Sequence, residues 1–348
     1  MKNISFNQEA EQHQRQWRRK YKLVEGEWGW QNGVQREHIL PKDKWILGVY
    51  PSIRDDLAMY ISVSGIQANT GKHNLKSSWT HCANLFFPFR SDKQMGKLFA
   101  QFLSFQLNME ITSIENIEFE YSAPGNLEPR RLLGEIGGMR GSGQTSPDVA
   151  VLFNCKDGSS GIYLIENKYT EHSFYDCSAA KKTTSKMHSK LGLTANDNPE
   201  RCHQAIDVYE RPQDMCQQEA WGRKYWSLLK DVIDLEYLNT CTYCPALKGG
   251  YQLFRQQALA QGIAESNIFD HVISGVAYDS RNNVLIKCLH NLGIDSFVTG
   301  WSKLFNTTVK FHCFSHQALI QHVGKNKSSL VQKWIKYNTY RYDYKLGK

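Results

Sequence analysis

No stretch of this 348-residue chain comes near the about 20 consecutive apolar residues that a membrane-spanning helix needs. That argues against an integral helical membrane protein. The segment Met1 to Ala10 is polar and shows no secretory signal. The nine cysteines are an odd number without such a signal, which speaks against a secreted disulfide framework and for a reducing, cytoplasmic setting. There is no internal repeat, low-complexity tract or clear interdomain linker. What remains is ample for a folded domain: 41% hydrophobic and 22% charged residues can bury a sizeable core. The net charge of +8 and pI of about 8.9 lean toward a polyanionic partner. A pI near nine also occurs in proteins that never meet nucleic acid.

The most informative stretch is Ser146-Pro147-Asp148-Val149-Ala150-Val151-Leu152-Phe153, followed by Gly161-Ile162-Tyr163-Leu164-Ile165-Glu166-Asn167-Lys168. Val149 to Phe153 is a continuous apolar run, rich in β-branched and aromatic residues, which suits a strand buried on both faces. Asp157-Gly158 supplies a hairpin turn, and Ile162 to Lys168 is the return strand. Folding the chain about Asp157 sets Asp148 opposite Glu166, where Cβ atoms of facing residues lie about 4.5–5.5 Å apart. Side chains alternate along a strand, so Glu166 and Lys168 share a face with Ile162 and Leu164. Asn167 points the other way, leaving only its backbone carbonyl for the site.

Two carboxylates so close repel each other unless a cation sits between them. Mg²⁺, or Mn²⁺, takes oxygen ligands and keeps several waters. A water on such a metal deprotonates more easily, and the metal offsets charge on a phosphoryl oxygen. Lys168 could orient or deprotonate that water, or neutralise the crowded phosphate. The competing reading is a surface hairpin with an Asp at its start and a Glu–Lys pair at its edge.

The pattern Pro147-Asp148, then Glu166-Asn167-Lys168, resembles the signature of the PD-(D/E)xK nuclease superfamily. The resemblance implies a restriction-endonuclease-like α/β fold with an αβββαβ core, a mixed central sheet flanked by helices. The chain offers those parts in order: an apolar helix over Gln94–Leu107, a strand over Asn116–Tyr121, the hairpin, a helix over Tyr251–Gln261 closed by Gly262, and a strand over Phe269–Tyr278. The nuclease core then spans residues 90–280, with a Cys-containing insertion at 170–250, an N-terminal extension over 1–90 and a C-terminal α/β extension over 280–348. Ser77-Ser78, Asn84-Leu85-Phe86 with Pro88, the Pro124-Gly125-Asn126 step and Tyr251 to Ala260 are similar to a bacterial group labelled restriction endonucleases. The function this implies is a metal-dependent endonuclease acting on DNA and leaving 5′-phosphate ends. A repair exonuclease, an RNA nuclease of the same fold and a catalytically silent nucleic-acid-binding protein stay open, as does a homodimeric assembly.

In that reading Asp148, Glu166 and the Asn167 carbonyl hold Mg²⁺, and Lys168 serves the water. Many members resemble a pattern with a further glutamate on the first core helix. Here that helix has no acid until Glu110, so Glu135 could supply the carboxylate, with Glu118 and Glu120 as weaker candidates. Gln252, Arg255 and Gln256 lie on one helical face and could reach the site or nucleic acid, or could solvate the helix. Arg130, Arg131 and Arg140, in a glycine-rich approach with Gly137, Gly138, Gly141 and Gly143, are placed to track a phosphate backbone in a mobile loop. Cys241 and Cys244 have the spacing for one metal. With Cys177, Cys202 and Cys216 they could hold Zn²⁺ or an iron–sulfur cluster that orders the insertion, with His203 a further ligand. Buried free thiols acting as small hydrophobes are the alternative. The stretches Gln14–Lys22 and Lys333–Lys348 interleave basic and aromatic residues, which suits phosphates and bases or an amphipathic helix and a solvated tail.

Overall fold

Alternation along the motif hairpin determines how the protein is layered. In a computed structural model that describes residues 4–123, 125–136 and 138–345 (the Met187 side chain aside), Val149, Val151, Phe153, Tyr163 and Ile165 enter one core, while Ala150, Ile162 and Leu164 enter another. The two cores lie on opposite faces of a five-stranded sheet. Pro124 and Gly137, both named above for their loops, lie outside the described residues, as do the last three residues of the basic C-terminal stretch.

The strands are Ile111–Phe119, Val149–Cys155, Ser160–Lys168, His271–Tyr278 and Lys310–Ser315, adjacent in chain order. The first three form an antiparallel meander. The fourth is parallel to the third, and the fifth to the fourth. A parallel neighbour requires a crossover, and the helix Tyr251–Glu265 provides the one between the third and fourth strands. The helix Lys93–Leu107, capped by Asp92, precedes the first strand. Among the described residues no helix is long and apolar enough to cross a membrane.

The first core is aromatic: Phe86, Phe99, Phe102 and Trp334 come from the helices Ser78–Ser91, Lys93–Leu107 and Ser329–Tyr342. The second packs the Tyr251–Glu265 helix against the insertion. The insertion has only short helices, such as Ala205–Glu210, Gln217–Ala220 and Tyr225–Leu229, yet it brings its own apolar residues, Trp221, Tyr225, Trp226 and Leu229. Buried aromatics of its own therefore anchor the insertion on this core.

Three sequence readings are corrected. Gly262 does not end its helix; it lies inside, where a Cβ would meet Leu132 and Leu228 methyls at 3.5–3.6 Å, and the helix runs on to Glu265. The apolar face continues through Ile263, so packing keeps the helix going. The first strand starts at Ile111, earlier than its alternation signals, because polar Ser113 and Glu115 sit in an irregular stretch at the sheet edge. The C-terminal stretch is not a solvated tail: Arg341, Tyr342 and Tyr344 are buried, while Tyr340 and the charged Lys333, Lys336, Asp343 and Lys345 stay exposed. The Arg341 guanidinium lies 3.9 Å from the Trp17 ring centroid and donates to Gln14 and to the Leu75 carbonyl, so the two terminal segments clasp each other. Tyr342 and Tyr344 are spent on packing and are unavailable to stack on bases.

Candidate active site

The register Val149↔Ile165 extends to place Asp148 across from Glu166, both on the face toward the Tyr251–Glu265 helix. The Asp148 carboxylate accepts the Asn167 backbone N–H at 2.7 Å. An extended residue sends its N–H and C=O to the same edge, so the Asn167 carbonyl shares the Asp148 side. The Lys168 carbonyl accepts instead from the Asp279 N–H, on the opposite edge.

Lys168 Nζ donates to Glu166 Oε1 at 2.8 Å and to Gln252 Oε1 at 2.9 Å. Gln252 Nε2 returns a 2.9 Å bond to Glu166 Oε1. The three side chains thus form a closed hydrogen-bonded ring with little exposure, 4% for Lys168 and 10% for Glu166. Phe174 and Tyr175 wall the ammonium, with ring centroids at 5.8 and 5.5 Å. Their loop docks on the helix start, where Gln252 N–H donates to the Phe174 carbonyl and Tyr251 N–H to the Tyr175 carbonyl. That docking sets where Gln252 points.

A third carboxylate joins them, and it is Glu120. It follows the first strand in a left-handed conformation, φ +51°, uncommon for a residue with a side chain. Its N–H donates to the Asp148 carbonyl. A Cβ on Gly141 would meet the Glu120 side chain at 3.2–3.3 Å, so glycine there leaves the carboxylate its room. Burial and then Glu166 push the Glu120 carboxyl up to about 8, with Trp79 pulling the other way. Burial, then Glu166 and Glu120, raise Asp148 well above the usual carboxylate range. Burial alone would lower Lys168, but Glu166, Glu171 and Asp148 outweigh it and hold the ammonium above its ordinary value.

The other candidates are placed elsewhere. Glu135 is buried with its oxygens taken by Thr145 N–H, Thr145 Oγ1 and Tyr225 OH, and Arg255 Nη1 stands 4.0 Å away. It ties Thr145 and Tyr225 together. Glu110 is exposed and paired with Lys156. Glu118 lies 3.7 Å from Arg140. Gln256 is buried and donates to the Leu164 and Gly275 carbonyls; it braces the helix on the sheet and cannot meet nucleic acid. Arg255 stacks on Tyr251 at 4.6 Å. Arg140 is tied down by the Phe119 and Glu120 carbonyls and by Tyr60 OH, so it braces the Glu120 turn and does not track a backbone. Arg130 and Arg131 both pair with Glu128.

Sequence reasoning missed the support behind the hairpin. The Asn167 side chain donates to the Ser78 carbonyl at 3.1 Å and lies 3.2 Å from His81 Nδ1 and 2.9 Å from His316 Nε2. His81 stacks on Tyr169 at 4.7 Å. This fully buried network fixes the strand end from the face opposite the carboxylates. It joins residues from three distant segments, and no local pattern marks it.

Four of the five cysteines in question, Cys177, Cys202, Cys216 and Cys244, line one small cavity, whereas Cys241 does not. The Cys241 thiol instead faces the Tyr237 carbonyl at 3.7 Å, with a bend at Thr242 and Tyr243 between it and Cys244. His203 is half exposed, next to Tyr243, and is not part of that lining. Among the described residues no group of three or more His, Cys, Asp or Glu side chains is placed to hold a metal ion by itself.

No curated protein and no solved structure gives a significant match to this chain. Residues 5–343 match the family described as Restriction Endonuclease associating with ARP. Because that match spans nearly the whole chain, from the first helix past the last, Asp148, Glu166 and Lys168 all fall within it and the protein belongs to this restriction endonuclease family.

Proposed function

We propose that the chain is a Mg²⁺-dependent endonuclease of the PD-(D/E)xK kind that cleaves DNA. The observation that carries this reading is the meeting of Asp148, Glu166, Lys168 and Gln252 at one end of the hairpin, in a member of a restriction endonuclease family. The order helix, strand, strand, strand, helix, strand from Lys93 to Tyr278 is the order such a core requires.

A divalent cation fits the chemistry of the donor set. Asp148, Glu166 and Glu120 crowd one buried place, and two of them are pushed toward protonation by burial and by each other. Mg²⁺ needs only one or two protein carboxylates and keeps its remaining waters, so a ready-made cage of three side chains is not required. Asp148, Glu166 and the Asn167 carbonyl would hold it, with Glu120 as the further carboxylate. When bound, Mg²⁺ supplies positive charge for the phosphoryl oxygens and makes a water more acidic. The Asn167 N–H holds Asp148 in place. Gln252 and Glu166 fix the Lys168 ammonium, which can donate to the attacking water or to a phosphoryl oxygen. Phe174 and Tyr175 keep bulk water off that ammonium, and Tyr175, exposed at 53%, presents a ring on which a base can stack.

The test is cleavage of supercoiled plasmid, linear duplex, single-stranded DNA and RNA by the purified protein, with Mg²⁺ or with EDTA. Nicking or linearisation of plasmid that needs Mg²⁺ and disappears in Asp148→Ala is the expected result. Cleavage of RNA alone would overturn the DNA assignment. Equal activity of Asp148→Ala, with contaminating nuclease excluded, would overturn the site.

A further inference from the structure

Gln257 lies in the middle of the Tyr251–Glu265 helix and is fully buried. Among the described residues neither the oxygen nor the nitrogen of its carboxamide has a hydrogen-bond partner. The glutamines around it are bonded. Gln256 Nε2 donates to the Leu164 and Gly275 carbonyls, and Gln261 Oε1, one turn on, accepts from Thr307 Oγ1 at 2.8 Å. A buried amide with both ends unmet is costly and rare in a settled core. Packing alone would be served better by an apolar side chain of similar size.

Gln257 lines an open cleft of about 310 Å³, at the lower end of the size of small-molecule sites. The half-buried rings of Phe305 and Phe311 line it too, with His312, Gln106 and the exposed Lys310. Trp301 packs on both phenyl rings, with centroids 5.6 and 6.5 Å away. Its indole N–H is also buried without a partner among the described residues. Burial lowers His312 to about 4, so its imidazole is uncharged at neutral pH. Among the described residues that line the cleft none is Asp or Glu. The cleft is also distant from the carboxylates. Lys310 opens the last strand and pairs with Ile273, which pairs with Tyr163, whereas Lys168 pairs with Tyr278 and Tyr278 with Ser315. From Tyr163 to Lys168 is about 16 Å of strand.

The groups on offer select a ligand. A carboxamide presents a donor and an acceptor side by side, the complement of adenine N6–H and N7. Phenyl rings beside it suit the flat face of a base. One lysine with no acid around it suits a phosphate. The volume admits one nucleotide and excludes a duplex. We propose that this cleft binds a free adenine nucleotide of the size of AMP, with Gln257 paired to the edge of the base, Phe305 and Phe311 beside its face and Lys310 on the phosphate. The ligand bridges the helix that carries Gln252 and the edge strand. The proposal does not depend on the nuclease reading.

The experiment is calorimetric titration of AMP into the full chain in EDTA, which keeps nuclease chemistry out, with adenosine, GMP, CMP and inorganic phosphate as comparators and melting temperatures in parallel. AMP should bind more tightly than GMP or CMP and raise the melting temperature. Gln257→Leu should melt no lower than the wild type and weaken AMP about 5–150-fold, the worth of one bidentate base contact. Lys310→Ala should weaken AMP and leave adenosine unchanged. If Gln257→Leu does not fold, the base preference of the wild type and Lys310→Ala still decide. The proposal is overturned if AMP does not bind, if it binds no better than GMP or CMP, if inorganic phosphate displaces it, or if Gln257→Leu binds it as tightly as the wild type. Displacement of AMP by a short oligo-dA strand would overturn it as well, because the cleft would then lie on a nucleic-acid path.

Discussion

The carboxylates at the sheet end and the cysteines of the insertion are both buried clusters that turn negative when ionised, yet they are built differently. The carboxylates come with a cation of their own. Lys168 is bonded to Glu166, and its charge partly offsets Asp148 and Glu120. The thiols have none, and burial leaves them neutral. A cluster with a built-in cation can wait for a weakly held, exchangeable metal and still fold. A cluster without one stays uncharged and packs among apolar neighbours. The difference separates a site for chemistry from a site for structure, and each substitution below is chosen to break or sharpen that separation.

The largest effect belongs to the chemistry. Asp148→Ala and Lys168→Ala should each lower DNA cleavage by at least about 10²–10⁴-fold, the range that positioned acid–base groups contribute, while circular dichroism shows a folded protein. EDTA should stop cleavage reversibly and leave the fold intact. Cys244→Ser, which sets a hydroxyl among the apolar walls of the insertion cavity, should do the opposite and lower the melting temperature first. If EDTA unfolds the protein as it stops cleavage, a metal holds the fold as well as the chemistry.

Next in size is the third carboxylate. Glu120→Gln keeps the shape but removes the charge, and should raise the Mg²⁺ concentration needed for half-maximal cleavage by about 10–100-fold, as loss of a supporting metal-site carboxylate typically does. Glu135→Gln should leave that concentration unchanged. Its cost lies in stability, about 1–3 kcal/mol, because the Thr145 and Tyr225 donors lose a charged acceptor. Mg²⁺ titrations of activity alongside urea melts distinguish the two; a Mg²⁺ shift in Glu135→Gln and none in Glu120→Gln would reverse the assignment.

How much of this could be read from sequence follows from the range of the contacts. The hairpin was legible because the Val149–Phe153 run, the Asp157-Gly158 turn and strand parity are local, and together they set Glu166 and Lys168 on one face. Gln252 was legible as one of three helical candidates. Of its neighbours, Gln256 is turned onto the sheet and Arg255 onto Tyr251 and Glu135, contacts that helical spacing alone does not separate. Glu120 ranked only as a weaker candidate behind Glu135 because a left-handed turn carries it past the strand end, and Asn167's partners lie at Ser78, His81 and His316. The C-X-X-C spacing drew attention to Cys241, whereas the cavity gathers cysteines as far as 67 positions apart, Cys177 and Cys244. The edge strand Lys310–Ser315 was missed because its residues mix charge, ring and thiol without clean alternation.

A smaller effect tests whether Gln256 belongs to the fold or to nucleic-acid binding. Gln256→Ala leaves the Leu164 and Gly275 carbonyls short of a donor in the core, which should cost about 1–3 kcal/mol of stability. The salt dependence of DNA binding should not change, since no phosphate contact is lost. A flatter salt dependence with unchanged stability would return Gln256 to the nucleic-acid interface.

The smallest expected effect concerns a third kind of ionisable group, partly buried and with neither a cation nor a metal to meet. His312 lies on the fifth strand, 3.0 Å from Tyr163 OH, and burial lowers its imidazole to about 4. In the unfolded chain it titrates near its ordinary value of about 6.5. Its contribution to stability is therefore fully present above about pH 6.5 and is lost as pH falls toward 4, because the unfolded chain then binds a proton that the folded protein refuses. His312→Gln keeps a polar partner for Tyr163 and removes the titration. Urea midpoints at pH 7.5 and pH 5.0 should fall further apart in the wild type than in His312→Gln. Equal differences would mean that His312 takes its proton without leaving the fold.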